Sequence, residues 1–211
     1  MGRLLGVVAV SAVLLAGCGP VAAVAQAPAQ HDVVADREAA RGVLEAYLAL
    51  LDAEDWMGAV ALIDRRTMEF YERVRRDAVT LTASELKARP LREQVVVIMF
   101  RQSNKAASLR SQPIATLVAA SIKPLMHSRW LRLGEVQVDD DRATIDVSLA
   151  DYEGRFPFEL RRDPEGWRLS FVAATHFAAD AIIDGSDADE VLDFLARHYG
   201  VDQEALYALP E

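Results

Sequence analysis

Helices first and an antiparallel meander of strands afterwards, an α+β fold, are what the sequence predicts for residues 36–200. Three observations carry this. Apolar residues recur at helical spacing from Val43 to Val74, the period changes from 3.6 to 2 at Leu133, and turn tetrapeptides such as Asp163-Pro164-Glu165-Gly166 separate the later runs. The N-terminal helices are expected to pack on the late sheet, with a helical insert between them and an extra helix at the C-terminus. Of 211 residues, 52% are hydrophobic and 26% charged, a composition that builds a core and excludes a wholly disordered chain. One cysteine excludes both an internal disulfide and a cysteine-based zinc cluster.

Each element has its own local signal. Asp36 is a good N-cap for Val43, Leu44, Tyr47, Leu48 and Leu51, which predicts a helix from about Arg37 to Ala53. Asp55 caps a second, with Met57, Val60 and Ile63 on its apolar side, continuing or restarting through Met68, Phe70, Tyr71 and Val74. Thr82 and Glu85 form a capping box for a third, and Pro90 must break or restart it because its ring removes a donor and clashes with the preceding turn. The run Val95–Phe100 is flanked by polar residues without a turn signal, which favours helix over buried strand. Pro113 to Ile122 predicts another short helix. Then Ala143, Ile145, Val147 and Leu149 alternate with Thr144, Asp146 and Ser148 after the turn at Asp139-Asp140-Asp141, giving a hairpin with one buried and one wet face. Glu153-Gly154 makes the next turn, and Pro157, which cannot donate to a ladder, belongs at an edge or bulge. Trp167, Leu169 and Phe171 give the last strand, and Asp187 to Tyr199 a final helix stopped by Gly200.

The N-terminus carries a different signal. Arg3 precedes twelve apolar or small residues, Leu4 to Leu15; as a helix these rise about 18 Å, short of the roughly 30 Å hydrocarbon core, so they read as a signal-peptide core and not a span. The run ends in Leu15-Ala16-Gly17-Cys18, which resembles the lipobox of bacterial lipoproteins. That resemblance implies cleavage before Cys18, a lipid on its sulfur, and attachment to a membrane facing the periplasm. Gly19 in place of Asp then favours the outer membrane over the inner. The alternative is an ordinary secretory peptide cut after Ala23-Val24-Ala25. The expected organisation is a signal at 1–17, a lipidated linker at 18–35, the domain at 36–200 and a tail at 201–211. Ala, Pro and Gln dominate residues 19–35 without periodicity, as in a tether.

The order of elements also resembles a fold family. A first helix ending in Tyr47-Leu48-Ala49-Leu50-Leu51-Asp52, a second beginning Trp56-Met57-Gly58, and a meander closing with Gly166-Trp167-Arg168-Leu169-Ser170-Phe171 are similar to the NTF2-like superfamily, which includes ketosteroid-isomerase-like and SnoaL-like proteins. The resemblance implies a curved sheet wrapped around helices to form a pocketed cone, with Tyr47, Asp64, Tyr71, Trp130, Phe158 and Trp167 as candidate lining residues. The insert from Thr80 to Leu131 and the helix after the sheet depart from the usual pattern. Members include enzymes, transport adaptors and scaffolds, so the fold alone assigns no activity.

No catalytic residues are assigned. Core packing accounts for Tyr47 and Tyr71, and a wet strand face for Asp146, with Glu159, Arg161 or Arg168 as its cross-strand neighbours. The acidic groups at 139–141 and 180–189 read as turn and cap residues and lack the spacing of a calcium loop. No metal or cofactor is expected, and a net charge of -9 argues against nucleic acid as a partner. Charge is segregated: residues 18–64 carry 2 basic and 8 acidic side chains, residues 65–132 carry 14 and 5, and residues 133–211 carry 6 and 19. The basic middle is expected to pair with the acidic remainder or stand as wet helix faces. Expected partners are a membrane through the lipid, and a small apolar ligand or an envelope protein; a homodimer is compatible with the sequence. The leading expectation is a non-catalytic envelope protein, and the alternative is a pocket enzyme using Asp64 and Tyr71.

Overall fold

A computed structural model of the chain describes residues 32–122, 131–149 and 155–209. Cys18 and Trp130 lie outside these residues, as do the signal, the linker as far as residue 31, and the Glu153-Gly154 turn.

The first helix, α1 (Val33–Asp52), begins earlier than its sequence predicts. Asp32, not Asp36, is the N-cap, its carboxylate accepting from the N–H groups of Val34 and Ala35 at 3.0 and 3.3 Å. Asp36 sits instead in the first turn, where the positive end of the helix dipole favours a carboxylate, and forms an ion pair with Arg162. Residues 33–35 therefore belong to the helix and not to the tether. Two short steps follow: α2 (Trp56–Ala61), capped by Asp55, and α3 (Arg65–Thr80), capped by Asp64.

The insert is helical throughout its described part, as α4 (Ala83–Lys87), α5 (Leu91–Gln102), α6 (Ala106–Ser111) and α7 (Ile114–Ile122). Thr82 and Glu85 form the expected capping box, and Pro90 stands at the N-cap of α5, where its missing N–H costs nothing. The helix α5 is buried on most of its circumference, from Gln94 to Ile98 and again at Phe100 and Arg101. This is why its apolar run shows little amphipathic period and is ambiguous in sequence.

Four antiparallel strands then pair in chain order, β1 (Leu131–Asp139), β2 (Arg142–Leu149), β3 (Arg155–Asp163) and β4 (Gly166–Ser170). Ala143, Ile145, Val147, Phe158, Leu160 and Leu169 are buried against Ala40, Leu44, Tyr47, Leu48 and Leu51 of α1, forming the sheet core. Asp146 alternates out of this face as expected, but opposite Pro157; the cross-strand charge pair is instead Glu159 with Arg142 at 2.8 Å, and Glu159 also takes Arg161 of its own strand at 2.6 Å. Pro157 does occupy a locally unpaired edge, because β4 reaches β3 only from Glu159 onward.

After the sheet the structure departs from expectation twice. The last strand ends at Ser170, and Phe171 opens an unpredicted helix, α8 (Val172–Ile183), whose sequence has neither a cap residue nor a polar face. The predicted helix α9 (Ala188–Tyr199) follows with a capping box at Asp187 and Glu190, closed by Gly200 at φ 69°. Residues 201–209 are not a tail. Asp202 caps α10 (Gln203–Leu206), and Leu206 and Tyr207 are buried in a second, helical core with Val74, Ala78, Leu86, Ile98 and Leu195. A smaller cluster of Val60, Ile63, Val118 and Ala119 joins α2 to α7.

Candidate functional site

The two cores meet at the junction of β4 and α8. Asp64 begins α3 because one carboxylate oxygen accepts from the Thr67 N–H at 2.8 Å. Its own N–H donates to the Leu169 carbonyl at 2.8 Å, and the Leu169 N–H donates to the Leu62 carbonyl at 2.9 Å, so the start of α3 is stitched to β4 as a single parallel bridge. Two residues further on, the Phe171 N–H leaves the sheet and donates to Thr67 Oγ1 at 2.9 Å. Thr175 Oγ1 donates back to the Phe171 carbonyl at 2.8 Å, which leaves that hydroxyl to accept from Tyr71, 2.8 Å away.

Aromatic rings close the junction from the sheet side. The Tyr47 ring is 5.6 Å from that of Phe171, and the Phe158 ring is 6.0 Å from it. Tyr71 stacks on Phe100 of α5 at 5.9 Å. Four candidates read from the sequence, Tyr47, Asp64, Tyr71 and Phe158, are therefore brought around one short segment, Leu169–Thr175. Trp167 is not: it lies further along β4, buried, under the Arg162 guanidinium at 4.6 Å, and its indole N–H has no hydrogen-bond partner among the described residues.

The electrostatics of the junction favour neutral groups. Burial pushes the Tyr47 phenol well above its ordinary range, and the neighbouring Tyr71 adds to the effect. Tyr71 is also raised, chiefly by burial, with its contact to Thr175 acting in the opposite direction. Both phenols thus serve at neutral pH as protonated donors or packing groups and not as bases. Asp64 is only 3% exposed, and its second carboxylate oxygen has no hydrogen-bond partner among the described residues.

Sequence reasoning missed Thr67, Phe171 and Thr175, the residues that bind the junction together. Thr67 had a signal, standing three residues after a cap aspartate. Thr175 had none, since its helix was not foreseen. Two surface clefts lie elsewhere: one of about 350 Å³ between α1 and β1, lined by Arg37, Arg41 and Glu135, and one of about 620 Å³ between α8 and α9, lined by Asp184, Glu190, Asp193 and Phe194. None of the described candidates, Tyr47, Asp64, Tyr71, Phe158 and Trp167, borders either cleft. Among the described residues no three His, Cys, Asp or Glu side chains are grouped to hold a metal ion, and no helix is long and apolar enough to cross a membrane. Comparison with family models, with curated proteins and with solved structures finds no match to the chain.

Proposed function

We propose that the chain is a lipid-anchored envelope protein, held to a periplasm-facing membrane through Cys18, whose folded part is an NTF2-like domain that binds or scaffolds and does not catalyse. The anchor rests on Leu15-Ala16-Gly17-Cys18 directly after a short apolar run. The succession of early helices and a late four-stranded meander supports the NTF2-like assignment. The observation that carries the non-catalytic reading is the engagement of its best acid-base candidates: Asp64 caps α3 and Tyr71 spends its proton on Thr175.

A second reading, a pocket enzyme of the isomerase or dehydratase type, draws on the partnerless oxygen of buried Asp64. A carboxylate held dry in this way is the kind of group such chemistry uses as a base.

Feeding cells an alkyne-tagged fatty acid tests the anchor. The wild-type chain takes up the label and a Cys18→Ala variant does not; undiminished labelling of that variant overturns the assignment. Fluorescence titration with a hydrophobic probe separates the two readings of the domain. Under the binding reading an Asp64→Asn variant keeps its fold and its affinity for the probe.

A further inference from the structure

The helix α8 presents an apolar stripe to solvent. Ala179 alone among its residues is buried, in the helical core, whereas Ala173, Phe177 and Ala181, four residues apart and so on one side of the helix, are exposed, Phe177 at 56%. Because an α-helix turns about 100° per residue, His176 falls to one side of Phe177 and Ile182 to the other.

The flanks carry opposite charge. On the His176 side stands α3: the Phe70 ring is 5.4 Å from that of His176, and the Arg73 guanidinium lies 6.0 Å over Phe70. Arg66, Arg73 and Arg76 of α3 are exposed and have no ion-pair partner among the described residues. On the Ile182 side is the cleft against α9, bordered by the carboxylates Asp184, Glu190 and Asp193 and by one cation, Arg197. Residues 180–204 hold eight carboxylates and one Arg or Lys, Arg197, and among the described residues only Asp180 takes a cation from elsewhere, Arg92 at 2.6 Å. Of the two arrangements expected of these charges, pairing within the chain and wet helix faces, the second is what the flanks show, and among the described residues both are left uncompensated.

A surface that is positive, apolar and negative across one helix is complementary to itself after a half-turn. We propose that two copies of this chain associate through α8 about a two-fold axis near Phe177, with the α3 arginines of each facing the α9 carboxylates of the other. The two Phe177 side chains supply apolar burial, and the flanks set the orientation, since a two-fold parallel to α8 brings opposite charges together whereas a two-fold across α8 opposes like charges. The second copy is the occupant because it supplies both flanks in the correct order. The proposal stands apart from the reading of Cys18 and of the domain's pocket.

Charge reversal in the full chain, co-expressed as two differently tagged copies, tests it. One variant reverses α9 (Glu190→Arg with Asp193→Arg) and the other reverses α3 (Arg73→Glu with Arg76→Glu). Wild-type copies co-purify. Each variant with itself loses co-purification by about tenfold or more, since like charges then face each other, and the mixed pair recovers to within about twofold of wild type. A mixed pair no better than either variant with itself overturns the proposal, as does the absence of wild-type co-purification. A second measurement uses Phe177→Cys in a Cys18→Ala background, with Ala107→Cys on α6 as the control. Mild oxidation links the Phe177→Cys chains into dimers and leaves the control monomeric; monomers in both contradict the two-fold at α8.

Discussion

The guanidinium of Arg101 donates to the carbonyl of Tyr207 at 2.7 Å, joining residues 106 positions apart. It also donates to Ala78 O at 2.7 Å and Leu81 O at 2.6 Å, so this fully buried cation is held by backbone carbonyls at the negative end of α3 and in the returning C-terminal segment. Replacing Arg101 by Ala leaves several buried acceptors without a donor and is expected to cost about 3–5 kcal/mol. Urea unfolding of the variant measures it, and a loss under about 1 kcal/mol shows that water replaces the guanidinium freely.

Tyr207 makes a second tie, its hydroxyl donating to Gln94 Oε1 at 2.7 Å while the Lys87 ammonium sits 4.8 Å over its ring. Tyr207→Phe keeps the packing and deletes the donor, so a destabilisation of about 1–2 kcal/mol is expected. Deleting residues 201–211 removes both ties and the buried Leu206, and is expected to cost more than Tyr207→Phe and Arg101→Ala taken singly. An unchanged midpoint on truncation means that the segment contributes no stability.

Asp64 separates capping from chemistry. Asn is as good an N-cap as Asp, so Asp64→Asn is expected to fall within about 0.5 kcal/mol of wild type, whereas Asp64→Ala loses the bond to Thr67 and costs about 1–2 kcal/mol. Thermal unfolding of the two variants side by side gives the comparison. Equal losses in both show that the carboxylate charge itself, and not the cap, is what the fold uses.

The tyrosines set an alkaline limit. Tyr47, Tyr71, Tyr199 and Tyr207 are all raised, with burial the leading cause in each. Groups whose folded pKa exceeds the unfolded value give stability that is complete below about pH 10, the unfolded value, and is lost as pH climbs toward the folded one. Stability is therefore expected to be flat in these groups from neutrality to about pH 10 and to fall above it. Tyrosinate absorbance should appear together with the loss of far-ultraviolet helix signal. Full titration of all five tyrosines while the helix signal is intact contradicts the burial described here.

The parts of the fold that read directly from sequence are those governed by local chemistry. Thr82 with Glu85, Asp187 with Glu190, Gly200 at its left-handed angle and the alternation about Ile145 and Val147 each needed only neighbours in the chain. What did not read depended on distant partners. Arg101 is buried because the end of α3 and the returning Tyr207 both offer it carbonyls, from positions 20 and 106 residues away. Phe171 alternates correctly with Leu169 and Trp167, yet its N–H finds Thr67 on α3, and this contact turns the chain out of the sheet into α8. The candidate site was half legible for the same reason. Residue type and apolar context identified Tyr47, Asp64, Tyr71 and Phe158, while Thr67 was marked only by its place three residues after Asp64 and Thr175 by no local pattern at all.

Mass spectrometry of the N-terminal peptide, taken from protein purified out of cell membranes, is the decisive test of the lipid anchor. Anchoring through Cys18 requires that the chain begin at that residue and that the peptide carry the added mass of a diacylglyceryl group, with or without an amide-linked acyl chain. A first residue after Ala25, or an unmodified Cys18 within an uncut chain, contradicts it.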